Sequence, residues 1–157
     1  MTKPPFELVV AHHGATVLRV CTAIVGSNDA EDAWSETFLA ALRAYPTLAD
    51  GANLEAWLVR IAHNQAVDLI RRQSRQRAVS EVLANQPASD PPTPPSSAAA
   101  ALARLSPRQR QAVAYHHLAD LPYAEVAQII GGTPAAARRA AADGIARLRR
   151  LIPEEES

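Results

Sequence analysis

Between Asn85 and Ser97 the chain reads NQPASDPPTPPSS, with prolines at 87, 91, 92, 94 and 95. Proline fixes φ and lacks a backbone N–H, so this stretch can be neither helix nor central strand. Its composition is that of a semi-extended tether. The tether divides the 157 residues into two halves, each the size of a small domain. Apolar residues make up 48% of the chain, ample for folding, while aromatics are only 4%. Alanine, leucine and arginine dominate and β-branched runs are scarce, which favours helix over sheet. The expectation is an all-α chain. Residues 1–80 form one small helical domain and 98–152 another; a flexible proline-rich linker, 81–97, joins them, and an acidic tail, 153–157, follows.

Local signals place the helices. Phe6 to Val25 has helical apolar spacing and is punctuated by Gly26 and Ser27. Asn28 or Asp29 can cap a second helix, whose Asp29, Glu31 and Asp32 suit a positive N-terminal end. It stops near Tyr45, before Pro46. Residues 47–53 are a loop, and a long third helix runs from about Leu54 to Val79. Beyond the tether come a short alanine-rich helix, Ala98 to Arg104, and a capping box at Ser106-Pro107-Arg108-Gln109 that opens a helix ending near Leu118. YAEVAQII follows Pro122, Gly131-Gly132 breaks it, and Thr133-Pro134 caps and starts a last helix reaching about Leu151.

The neutral net charge conceals segregation. Residues 1–56 carry 3 basic and 7 acidic side chains, whereas 57–78 carry 5 and 1, and 104–150 carry 8 and 3. A partner meets the local field within a Debye length of about 8–10 Å, not the total. On the long helix Arg60, Asn64, Arg71 and Arg75 fall within an arc of about 60°, with Asp68 beside them. Leu58, Ala62, Ala66 and Leu69 lie on the other side. An arginine stripe of this kind tracks phosphates and releases counterions; the competing reading is a solvated face.

In the second half Val126, Ala127, Ile130 and Gly131 have the inner pattern of a helix-turn-helix: a small residue for close approach and a glycine for the tight turn. Ala137, Ala141, Ile145 and Leu148 then share one face of the last helix, while Arg139, Asp143, Arg147 and Arg150 point elsewhere. Placed in a major groove, such a helix brings its N-terminal residues to base edges. Two cationic helices on one chain point to DNA; a plain helical hairpin is the alternative.

Other features are weaker. Trp34 and Trp57 sit beside leucines and alanines, which favours core packing over stacking on bases. His12-His13 and His116-His117 are adjacent pairs, and adjacent helical side chains diverge by about 100°, poor geometry for chelation. Cys21 is alone, so no metal site, cofactor or intrachain disulfide is expected. No phosphate loop or nucleophile-base set appears, and an enzyme is not expected. The N-terminus lacks a signal-peptide pattern and no apolar run approaches the roughly 20 residues of a bilayer span, so a cytoplasmic protein is expected.

The order of parts, DAEDAWSETFLAALRAY, WLVRIAHNQAVDLIRRQSR, a linker, then LSPRQRQAVAYHHLADLPYAEVAQIIGGTPAAARRAAADGIARLRR, resembles the extracytoplasmic-function group of bacterial RNA polymerase sigma factors over roughly residues 6–78 and 99–151. The resemblance implies a three-helix sigma domain 2-like unit and a helix-turn-helix sigma domain 4-like unit. The first would dock on core RNA polymerase near Asp32, Glu36 and Phe38. Asn53, Arg60, Asn64, Arg71, Arg72 and Arg75 would lie near the minus-ten element of promoter DNA. Thr133, Ala135, Arg138 and Arg139 would meet the minus-thirty-five element. An anti-sigma factor is a further partner the resemblance implies. The chain departs from the family pattern at Ala33-Trp34-Ser35 and at the alanine-rich PAAARRAAAD, whose alanines can touch only thymine methyls or sugars. The alternatives are a sigma-like DNA-binding regulator that no longer initiates transcription and a helical protein-interaction module.

Overall fold

The computed structural model describes residues 3–82 and 97–152; most of the proline-rich linker and the acidic tail lie outside them. Among the described residues the chain is helical, without strands. The order is α1 (Phe6–Val25), α2 (Ala30–Ala44), a 3₁₀ turn (Tyr45–Thr47), α3 (Leu54–Val82), α4 (Ser97–Ala103), α5 (Pro107–Val113), a π-helical turn (Ala114–Leu118), α6 (Tyr123–Ile130) and α7 (Pro134–Leu151).

Several boundaries follow the expected chemistry. Ser106 closes the capping box with Gln109, each side chain meeting the other's backbone N–H. The Thr133 hydroxyl accepts from the Ala136 N–H at 3.1 Å, with Pro134 in the first turn. Gly131 and Gly132 take φ of +88° and +90°, the left-handed backbone that the turn before α7 requires. Asp29 differs. It holds the N-cap position of α2, but its side chain makes no cap bond; its Oδ2 accepts from Gln73 Nε2 at 2.8 Å, tying α2 to α3. The helix expected to run on to Leu118 instead widens after Val113, where the Ala119 N–H reaches back five residues to the Ala114 carbonyl.

Helices α1, α2 and α3 pack around Val9, Val17, Cys21, Ala33, Phe38, Ala41, Leu58 and Ala62. Trp34 joins them, its Nε1 donating to the Gly14 carbonyl at 2.9 Å and its ring 4.6 Å from that of Phe38. Both tryptophans pack against this core. Among the described residues one helix, α1, is long and apolar enough by length and composition to cross a membrane, with a mean hydropathy of 1.6. In this fold its Val9, Val17, Val20, Cys21 and Ile24 face the protein core.

The linker predicts two bodies on a strap, yet the two halves share a core. Val20, Ala23, Ile24, Ala56, Val59 and Ala66 from the first half meet Ala112, Ala114, Tyr115, Leu121, Val126 and Ala127 from the second. Polar contacts cross the same seam. Tyr115 is fully buried and its hydroxyl lies 2.7 Å from His63 Nδ1. Arg110 Nη1 donates to the Ile24 carbonyl at 3.1 Å, while its other nitrogens donate to the carbonyls of Leu102, Ala103 and Leu105. One guanidinium thereby caps the ends of α1 and α4 together. Burial lowers its pKa from the ordinary value.

Candidate nucleic-acid interface

Helix α3 carries the first basic surface. Its inward residues, Leu58, Val59, Ala62 and Ala66, are buried, which turns Arg60, Asn64, Arg71, Arg72 and Arg75 outward, all exposed. Arg71, Arg72 and Arg75 line an open groove of about 780 Å³ with Gln65, Asp68, Ser74 and Glu36 of α2. Three guanidinium groups outweigh two carboxylates there, leaving a cationic trough. Arg60 lies away from this groove, toward the seam, and its Nη2 donates to Gln128 of α6 at 3.3 Å. Asn53 is exposed, but its Oδ1 accepts from the Ala56 N–H at 3.1 Å and so caps α3.

Helix α7 carries the second. Ala137, Ala141 and Gly144 are buried against α5 and α6, while Thr133, Ala135, Arg138 and Arg139 are exposed at its N-terminal end. Gly144 permits the crossing with α5: a Cβ there would stand 2.7 Å from Val113 Cγ2. The turn before α7 is held by Arg108, whose guanidinium donates to the carbonyls of Gly131 at 2.8 Å and Ile130 at 3.4 Å. Sequence reasoning passed over this arginine and Arg110, because a residue that binds carbonyls distant in the chain looks in sequence like any surface cation.

The acidic face of α2 borders the α3 groove, which Glu36 lines. Asp32 and Glu36 are exposed, with Leu39 and Leu42 one and two turns on, 47% and 52% exposed. Phe38 does not belong to this face; it is 6% exposed and its ring packs on Phe6 and Trp34. Its apolar character signalled the core, and the adjacent Leu39, one position further round the helix, was the exposed apolar residue to find.

One histidine of each adjacent pair has a local backbone partner. His12 Nδ1 lies 2.9 Å from the Leu8 carbonyl, and His116 Nδ1 lies 2.8 Å from that of Leu121. Among the described residues no group of three or more His, Cys, Asp or Glu is placed to hold a metal.

A trihelical unit with a basic third helix, followed by a helix-turn-helix unit, is the architecture of the sigma-70 class. The chain matches the family model for Sigma-70 region 2 over residues 9–76 and that for Sigma-70, region 4 over residues 97–148. It is 31% identical to the RNA polymerase sigma factor CarQ of Myxococcus xanthus, across 96% of this chain and 91% of CarQ. It is 32% identical to the ECF RNA polymerase sigma factor SigE of Mycolicibacterium smegmatis, covering 82% of this chain and 54% of SigE. With the ECF RNA polymerase sigma factor BldN of Streptomyces coelicolor it shares 34%, covering 83% and 53%. The chain thus spans about half the length of SigE and BldN. Its fold is similar to that of the sigma factor RpoE, solved with the anti-sigma factor NepR from Bartonella quintana: TM-score 0.80 at 22% identity, over 96% of this chain and 98% of that one. CnrH, solved with the cytosolic domain of CnrY, follows at TM-score 0.69 and 22% identity, over 96% and 89%. The chain belongs to the ECF group of RNA polymerase sigma factors.

Proposed function

We propose that this protein binds core RNA polymerase and directs it to promoters, initiating transcription without catalysis of its own, in the cytoplasm where the chromosome lies. The observation that supports this best is the presence of both family regions, in order, on one chain. The surfaces suit the task. The cationic trough of Arg71, Arg72 and Arg75, with Arg60, Asn64 and the α3 cap at Asn53, faces the minus-ten element. The exposed end of α7, with Thr133, Ala135, Arg138 and Arg139, faces the minus-thirty-five element in the major groove. Asp32 and Glu36, with Leu39 and Leu42, offer the polymerase an acidic face with an apolar centre, the composition of a docking patch. Phe38 supports that face from beneath. RpoE is solved in complex with the anti-sigma factor NepR, and a partner of that kind, gripping both halves together, is the regulator proposed here. The test is run-off transcription with purified core enzyme from the source organism. A specific transcript dependent on this protein is expected; neither transcript nor association with core enzyme would refute the proposal.

A further inference from the structure

The first two turns of α7 are nearly all alanine, so Arg138 and Arg139 carry the long polar side chains there. They are not held alike. The Arg138 guanidinium carbon lies 5.3 Å from the centroid of the Tyr123 ring, within cation–π range. Tyr123 has a second ring partner: His116 stacks on it at 3.9 Å between centroids, 15° from parallel. His116 is fixed in turn by its Nδ1 contact with the Leu121 carbonyl. Among the described residues no hydrogen bond, ion pair or ring contact holds Arg139.

We propose that Tyr123 is a positioning residue for DNA recognition, holding the Arg138 guanidinium over its ring and aiming it at the DNA that α7 meets. This rests on the reading of α7 as a DNA-contacting helix. An arginine on an alanine helix otherwise samples many rotamers, which binding must freeze at a cost in affinity. The column of His116, Tyr123 and Arg138 removes part of that cost beforehand. His116 lies in the π-helical turn that precedes α6, and its ring meets Tyr123 from there. A planar cation restrained in this way is suited to a planar acceptor pair, guanine O6 and N7 or two phosphate oxygens.

The experiment uses the full chain and the duplex that the wild-type protein enriches from a randomised pool. Dissociation constants are measured for wild type, Tyr123→Leu, Tyr123→Phe, Arg138→Ala, Arg139→Ala and the Tyr123→Leu/Arg138→Ala double variant. Tyr123→Leu should weaken binding by about two- to fivefold, the range of an exposed cation–π contact. Tyr123→Phe, which keeps the ring, should bind as wild type. Arg138→Ala should weaken binding further than Tyr123→Leu, and in its background Tyr123→Leu should have no effect. A loss from Tyr123→Leu that is equal in both backgrounds would overturn the proposal, since a contact of Tyr123 itself or a general disturbance of α6 gives that result. So would no loss at all while Arg138→Ala weakens binding. If Arg138→Ala and Arg139→Ala both bind as wild type, the assignment of α7 to DNA fails and the proposal falls with it.

Discussion

Tyr115→Phe is the sharpest probe of the packing between the halves. Tyr115 is fully buried, and its hydroxyl bonds to His63 across the seam at 2.7 Å. Replacement by phenylalanine keeps the ring and its edge-on packing against the His63 imidazole, 5.6 Å between centroids, and deletes only the oxygen. The lost bond contributes about 0.5–1.5 kcal/mol net, and a buried partner left without one adds about 1–3 kcal/mol. His63 is only partly buried, so water can meet some of that need. The expected loss is about 1–2 kcal/mol, or roughly 2–8 °C in Tm for a chain of this size. Urea unfolding of the full chain reads it as a lower midpoint at constant slope. Tyr115→Phe combined with His63→Leu should recover part of the loss, because removing both partners leaves nothing unpaired. If the halves were separate in solution, the Tyr115 face would be wet and Tyr115→Phe would be nearly neutral. A change below about 0.3 kcal/mol, or strict additivity with His63→Leu, would refute the shared core.

Other outcomes follow from individual side chains. Gly144→Ala should destabilise by about 1–2 kcal/mol, since overpacking against Val113 exceeds the gain in helix propensity; a thermal melt checks this. Arg110→Met should lower stability by about 2–3 kcal/mol by uncapping α1 and α4, measured by urea unfolding. Burial pushes the Cys21 thiol from 9.0 to about 11, against a smaller opposing pull from Thr37, so its contribution to stability is present below pH 9 and is lost as pH rises toward 11; Cys21→Ala should flatten that part of the alkaline profile. Burial lowers the His63 pKa below 6.5, so its neutral form supports the fold above that pH and support is lost as pH falls; unfolding across mildly acid pH should show the loss, and His63→Leu should not. Arg71→Ala with Arg72→Ala should weaken DNA binding at every sequence and reduce the log–log salt slope by about 2; an unchanged slope would place both in solvent.

Local chemistry made most of the helices legible. Ser106 with Gln109, Thr133 with Pro134, and Gly131 act within four residues of themselves, so their roles are written in adjacent letters. The outward stripe on α3 was equally plain, because the 3.6-residue period separates Arg60, Asn64, Arg71 and Arg75 from Leu58, Ala62 and Ala66 without reference to any other helix. What sequence could not give was long-range. Asp29 had every attribute of a cap, but Gln73, 44 residues away, holds its carboxylate instead. Tyr115 and His63 are 52 residues apart, Arg110 and Ile24 86 apart, and neither pair shares a periodicity. The resemblance groups Phe38 with Asp32 and Glu36, yet Phe38 is buried while they are exposed, because which side of α2 meets α1 is settled only once α1 is placed.

Composition also sets how firmly the halves are joined. The seam is built largely from alanine: Ala23, Ala56 and Ala66 face Ala112, Ala114 and Ala127, with Val20, Ile24 and Val59 the larger contributors from the first half. Each alanine buries one methyl, worth about 0.8 kcal/mol where leucine or phenylalanine would give about 1.5–3 kcal/mol. Close approach of backbones is gained and apolar area is given up. The polar contacts then carry more of the discrimination between this packing and others, and they are unequal. Tyr115 with His63 and Arg110 with Ile24 are partly or wholly buried, so breaking either leaves groups to be re-solvated. Arg60 with Gln128 is exposed at 3.3 Å, a contact that water replaces at little cost. The part of α3 that bears Arg60 is therefore not locked by the second half. The seam is held by its shared apolar core, one buried tyrosine and one partly buried arginine, while Arg60 stays free to exchange partners.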